Sequence, residues 1–214
     1  QQSPRAAYAA MVTYLDKSVE LIIKELKDKG IYDNTIIVFT SDNGVHAEGG
    51  HDPYYFDSNG PFRGQKRDLY EGGIRTPFVI QWPGVIPQGV VTNHISAFWD
   101  FLPTISDLIQ ADVPQNTDGI SYLPTLTGKG TQKEHDCIYY EFFEFGGKQS
   151  LMTPDGWKLV RLEVSDPSKT YEELYNLYTD PAETSNVIKQ YPEIAGKLKS
   201  MIATRRIENT RFHF

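Results

Sequence analysis

Between residues 6 and 29 the apolar positions Tyr8, Met11, Val12, Leu15, Val19, Ile22, Ile23 and Leu26 recur at spacings of three and four. That spacing gathers them on one stripe of an α-helix. Lys24, Lys27 and Lys29 fall in the last turns, where cations suit the helix dipole, and Gly30 is placed to end the helix in the left-handed conformation. After the turn signal Asp33-Asn34 the period changes. Ile36-Ile37-Val38-Phe39, within Thr35–Thr40, are four consecutive apolar residues, which predicts a strand buried on both faces, as in a parallel sheet. A helix, a short turn and a buried strand is the rhythm of an α/β fold. Pro77–Trp82 reads as a second strand, closed by Pro83-Gly84. Residues 94–110 read as a helix on Ile95, Phe98, Leu102, Ile105, Leu108 and Ile109, with Pro103 in an early turn.

The character changes near residue 112. Cys137–Phe143, Gln149–Thr153 and Trp157–Leu162 predict short strands, with Pro154-Asp155-Gly156 as a tight turn. Glu172–Leu177 adds a strand or a turn. Residues 192–205 predict a final helix with Ile194, Leu198, Met201 and Ile202 on one side. The pattern divides the chain into residues 1–112, part of an α/β core, and residues 113–214, an α+β subdomain with a small antiparallel sheet and a packed helix.

Composition narrows the function classes. Hydrophobic residues make up 39% and charged residues 23% of the 214, an ordinary globular balance. No apolar run approaches the length of a membrane span. A net charge of −7 argues against a general nucleic-acid binder. One cysteine, Cys137, excludes an internal disulfide framework and a Cys-rich zinc site. It reads as a small buried hydrophobe. The chain opens on Gln1-Gln2 with neither Met nor a signal peptide, which suggests a processed product or a piece of something longer.

Three places carry candidate chemistry. Asp42-Asn43-Gly44 follows the first strand, where open α/β sheets place their ligands. A carboxylate beside an amide carbonyl offers hard oxygen donors that suit calcium or magnesium. The same tripeptide also makes an ordinary turn. Arg63, Lys66 and Arg67 form a basic cluster in an acidic chain, among Gly60, Gly64, Gly72 and Gly73. Such a cluster can hold a phosphate or sulfate group through charge-assisted hydrogen bonds, or simply form a solvated face. His46, His51 and Asp52 offer acid–base groups or structural loop contacts. His94, His135 and His213 stand apart from this cluster and receive no role. The long polar stretch 45–76 carries enough aromatic residues to be pinned down despite its length.

The segments Thr35-Ile36-Ile37-Val38-Phe39-Thr40-Ser41-Asp42-Asn43-Gly44 and Gly60-Pro61-Phe62-Arg63-Gly64-Gln65-Lys66-Arg67-Asp68-Leu69-Tyr70-Glu71-Gly72-Gly73-Ile74-Arg75-Thr76-Pro77 are long and specific. With them the chain resembles the formylglycine-dependent sulfatases of the arylsulfatase type, in the alkaline-phosphatase-like superfamily. The helix around Tyr8…Val19 and the ending Glu173-Leu174-Tyr175-Asn176-Leu177…Asp180-Pro181…Glu183…Asn186 share that resemblance, which thus extends over essentially the whole chain. It implies an α/β fold with a mixed sheet flanked by helices. It implies that Asp42 and Asn43 are two ligands of a single calcium, and that Lys66 contacts the substrate sulfate. Glu71-Gly72-Gly73 and Arg75 would form the wall behind that lysine, with His51 and Arg63 also facing substrate. Asn43 sets the chain apart from the two-zinc phosphatases and phosphodiesterases of the same superfamily, which typically carry histidine there.

One departure matters. The family's formylglycine arises from a Cys/Ser-x-Pro/Ala-x-Arg motif near the amino end, and the 214 residues contain none. The nucleophile and the remaining calcium ligands are therefore expected upstream, in an amino-terminal half that partners this chain. The expectation is a sulfuric ester hydrolase acting on sulfated sugars or glycans, periplasmic or secreted, seen here as its carboxyl-terminal portion. The portion alone is expected to be inactive and to expose apolar surface. The rival expectations are a non-catalytic anion-binding or structural fragment, and a phosphatase or phosphodiesterase of the same superfamily.

Overall fold

The computed structural model describes residues 3–113, 115–211 and 214, so His213 lies outside the described residues. These residues form two compact units. One contains the chain up to Asp42, His46–Phe56 and Thr76–Lys133; the other contains Asn43–Val45, Asp57–Arg75 and the chain from Glu134 onward.

In the first unit, α1 spans Pro4–Asp28. It begins with proline in its first turn, where the missing N–H costs nothing. It ends as the sequence predicts, with Gly30 at φ +68. Ile31 N–H donates to the Leu26 carbonyl and Gly30 N–H to the Lys27 carbonyl, both at 3.0 Å, the double bond of a Schellman cap. No residue of α1 is buried. Its apolar stripe faces solvent, with Met11 69% exposed, as expected of a chain that exposes apolar surface.

The strands β1 (Ile37–Thr40) and β2 (Phe78–Gln81) pair antiparallel, Ile37 opposite Gln81 and Thr40 opposite Phe78. This differs from the doubly buried parallel strand that the apolar run predicts. Consecutive apolar residues report that both faces avoid water, but they carry no information on the partner's direction. Neither strand is fully buried. Further along, α3 (Phe101–Leu108) holds Pro103 in its first turn. A short helix α4 (Leu123–Thr127), which no periodicity announced, stops at Gly128 in the left-handed region.

The second unit is built on a four-stranded antiparallel meander: β3 (Ile138–Phe142), β4 (Lys148–Met152), β5 (Trp157–Leu162) and β6 (Tyr171–Asn176). Leu151 opposes Leu159, which opposes Leu174. These leucines form one face, closed by Ala195, Leu198 and Ile202 of α5 (Pro192–Arg205) and by Cys137. Burial pushes the Cys137 thiol up in pKa, which suits the packing role read from the sequence. Because side chains alternate along a strand, Lys148, Lys158, Val160, Leu162, Glu173 and Tyr175 fall on the opposite face. There Val160, Leu162 and Tyr175 pack on Tyr70. The stretch 57–75, with the one-turn helix α2 (Glu71–Ile74), lies over this face.

Candidate functional site

The stretch that carries Lys66 is held by backbone hydrogen bonds. Gly72 N–H donates to the Arg63 carbonyl at 2.7 Å, Gly44 N–H to the Gly73 carbonyl at 2.9 Å, and Lys66 N–H to the Val45 carbonyl at 2.7 Å. Asn43–Val45 is thereby stitched both to Lys66 and to the Glu71-Gly72-Gly73 turn. Such close approach needs glycine: a Cβ on Gly72 would stand 2.5 Å from the Arg63 and Gly64 carbonyl oxygens, and one on Gly73 would collide with the Asp68 carbonyl. The Glu-Gly-Gly run is a packing requirement of the loop that presents Lys66.

Two acidic side chains and a lysine lie beneath that loop. Lys158 Nζ sits 2.8 Å from Glu71 Oε1 and 2.9 Å from Glu183 Oε1, and all three residues are buried. Glu183 also accepts a 2.6 Å hydrogen bond from Glu71 N–H through Oε2. Burial pushes the Glu183 carboxyl above its ordinary range even though the Lys158 ammonium and the Glu71 N–H draw it back. Arg75 reaches the other Glu71 oxygen at 3.4 Å.

Arg63 is committed to the same unit. Its guanidinium donates to Tyr175 Oη at 2.8 Å, to the Glu183 carbonyl at 3.0 Å and to Tyr70 Oη at 3.1 Å. It also lies 3.9 Å over the Tyr70 ring. Both tyrosine hydroxyls donate to Glu173 Oε2, at 2.5 and 2.9 Å. Burial, then the Glu173 carboxylate, pushes both phenols well above their usual range, so they remain donors. Arg67 pairs with Glu144 at 3.7 Å. Of the three cations in the cluster, Lys66 differs. It is half-buried, and among the described residues its ammonium has no hydrogen bond or ion pair.

The remaining candidates divide between the two units, Asp42, His46, His51 and Asp52 in the first and Asn43 in the second. His51, in the first unit, stacks on Tyr8 of α1 with ring centres 3.9 Å apart, and the Phe56 ring lies 6.1 Å from it in the same cluster. Arg5 bonds Asp52 at 3.0 Å and holds its carboxyl below the usual range. His46 Nδ1 accepts from Glu48 N–H. Asp42 is exposed and Asn43 half-buried, its amide nitrogen donating to the Gly44 carbonyl at 2.8 Å. Among the described residues no three His, Cys, Asp or Glu side chains converge as a metal site. The Asp42 and Asn43 oxygens fit a hard cation chemically, as two of the six to eight donors that calcium takes.

Sequence reasoning missed Lys148 and Lys158 and gave Glu183 no role. A signal existed for Lys158, since a lysine inside Trp157-Lys158-Leu159-Val160 must be paired if it is buried.

Comparison with known proteins decides the family. Residues 1–111 match the model of the sulfatase family, and residues 61–208 match that of the N-sulphoglucosamine sulphohydrolase carboxyl-terminal region. The chain belongs to the sulfatase family. Both matched regions contain Lys66 and Glu71-Gly72-Gly73. Rat steryl-sulfatase is 34% identical over 143 residues, which cover 65% of this chain and 25% of that protein. The N-acetylglucosamine-6-O-sulfatase of Bacteroides thetaiotaomicron is 29% identical over 199 residues, covering 91% of this chain and 34% of its own. A solved structure in complex with its substrate D-glucosamine-2-N,6-O-disulfate superposes with a TM-score of 0.74 at 27% identity, over 92% of this chain and 39% of that one. Such neighbours confirm the alkaline-phosphatase-like α/β fold expected from the sequence. The chain spans less than half the length of the curated relatives it matches. Among the described residues no helix is long and apolar enough to cross a membrane.

Proposed function

We propose that this chain is the carboxyl-terminal part of a sulfuric ester hydrolase that converts a sulfate ester and water into an alcohol and sulfate. The observation that carries the reading is the half-buried Lys66 ammonium, unpaired among the described residues, on a loop whose neighbouring cations Arg63 and Arg67 are both engaged. An ammonium held this way is available to an anion. Lys66 binds the sulfate oxygens and stabilises the charge that develops on them. Asp42 and Asn43 would give two oxygens to a calcium ion, which would supply Lewis-acid polarisation of the sulfate. A formylglycine supplied from outside these 214 residues would provide the covalent nucleophile. Arg63 and His51 are assigned a flanking role toward the substrate, Arg63 chiefly by holding the Lys66 loop on Tyr70, Tyr175 and Glu183.

The substrate class is a sulfated sugar or glycan. Relatives that act on or bind sulfated sugars support this, as does the aromatic, polar loop Gly50–Phe62, which offers stacking and hydrogen-bonding groups. The protein acts outside the cytoplasm, periplasmic or secreted. Residues 1–112 belong to the catalytic α/β core, and residues 113–214 form a subdomain that helps set specificity.

The test is ester selectivity with metal replacement in the full native protein. The expected result is turnover of sulfate esters that is lost to a calcium chelator and restored by calcium. Turnover of phosphate esters restored by zinc would overturn the reading in favour of a phosphatase. Binding of sulfate without turnover would favour a non-catalytic anion-binding protein.

A further inference from the structure

Lys66 occupies the second position of a β-turn, Gln65–Asp68, closed by Asp68 N–H donating to the Gln65 carbonyl at 2.8 Å. Arg67, in the third position, has φ +79. A type II turn demands that value there, and glycine or asparagine normally supplies it. A long, branched-charge side chain in this region persists only where its surroundings over-determine it. The restraint comes from β4, eighty residues away in the sequence. Lys148 Nζ donates to the Arg67 carbonyl at 2.8 Å and to Asp68 Oδ1 at 2.9 Å. Asp68 Oδ2 in turn accepts from Gln65 N–H at 3.1 Å. The Lys148 side chain is 12% exposed, so this grip is little screened by water. One ammonium therefore ties together the carbonyl and the carboxylate that follow Lys66, while Lys66 N–H is fixed on Val45.

We propose that Lys148 is a positioning residue for Lys66. It locks the strained turn and so fixes the direction in which the Lys66 ammonium is presented. This rests on the reading of Lys66 as the sulfate-contacting lysine. Lys148 touches no substrate. It acts through the Arg67 carbonyl and Asp68.

The strain supplies a specific test. Glycine at position 67 adopts φ +79 without restraint, so Arg67→Gly should make Lys148 dispensable. The experiment compares Lys148→Met with Lys148→Met/Arg67→Gly in the full native protein. The first readout is hydrogen exchange of the Asp68 amide, which reports the turn whether or not the enzyme turns over. The second is kcat/KM for a sulfate ester. Lys148→Met should speed Asp68 exchange and lower kcat/KM, each by about tenfold. The double variant should return both to within about twofold of the parent. Wild-type exchange and turnover in Lys148→Met would overturn the proposal, as would a double variant that recovers neither. A companion Lys66→Ala variant separates this from the functional reading. If Lys66→Ala leaves turnover untouched while Lys148→Met still speeds exchange, the role of Lys66 fails and the turn lock stands.

Discussion

Lys66→Ala in the full native protein will lower kcat/KM for a sulfate ester by about 100–1000-fold, ~2.7–4 kcal/mol of transition-state stabilisation. The magnitude is that of removing one preorganised charge donor from a developing oxyanion. It applies to Lys66 because its ammonium alone in the basic cluster is uncommitted among the described residues, whereas Arg63 and Arg67 already serve Glu173, Tyr175 and Glu144. The loss should fall mainly on kcat, because the charge to be stabilised grows as the ester bond breaks. Folding should be almost untouched, since the Lys66 ammonium holds no other group among the described residues. Lys66→Arg should recover only part of the rate, because a planar guanidinium does not reproduce a compact point charge. Steady-state kinetics with thermal melting of each variant checks both halves. Equal losses in melting temperature and rate would show that Lys66 is structural.

Lys158→Met will destabilise the protein by about 3–5 kcal/mol. The substitution removes the cation shared by two buried carboxylates, which leaves Glu71 with only the 3.4 Å contact to Arg75 and Glu183 with no ion pair among the described residues. The sign of the pH dependence follows from Glu183. Burial already raises its pKa in the folded protein, and losing Lys158 raises it further. A carboxyl whose folded pKa lies above its unfolded value is best tolerated below the unfolded pKa, and its stability contribution is lost as pH rises through the folded pKa. The deficit of Lys158→Met relative to the parent should therefore shrink as pH is lowered. Adding Glu183→Gln should recover part of the loss at neutral pH, because the amide oxygen can still accept from Glu71 N–H. Denaturant unfolding at several pH values measures this. A change below about 1 kcal/mol would place Lys158 in the class of ordinary exposed ion pairs.

Much of the architecture was legible because local chemistry encodes it. The last helix coincides with the predicted residues 192–205, since its apolar positions recur at helical spacing and a proline opens it. The meander strands agree to within a residue or two, because alternation and the Pro154-Asp155-Gly156 turn mark them. The pairing sense of β1 and β2 was not legible, for direction is a property of two strands and the apolar run describes one. The buried triad was hidden for a different reason. Glu71, Lys158 and Glu183 are 87 and 25 residues apart along the chain, on a one-turn helix, a strand and a loop, and only tertiary packing brings them together. Arg63 shows the same limit. A run of Arg, Lys and Arg reads as one anion site until packing reveals that Tyr70 and Tyr175 hold the first of them. The strained φ of Arg67 left no trace in its residue type, since it is imposed from β4.

The central claim is that these residues serve a formylglycine-dependent sulfate-ester hydrolysis. Mass spectrometry of the native polypeptide from its source tests it most directly. The account predicts a native chain more than twice this length, in keeping with the 25–44% of its relatives that this chain spans, with one cysteine or serine upstream of Gln1 converted to formylglycine. A native polypeptide that carries no converted residue, with no partner chain copurifying, would contradict it.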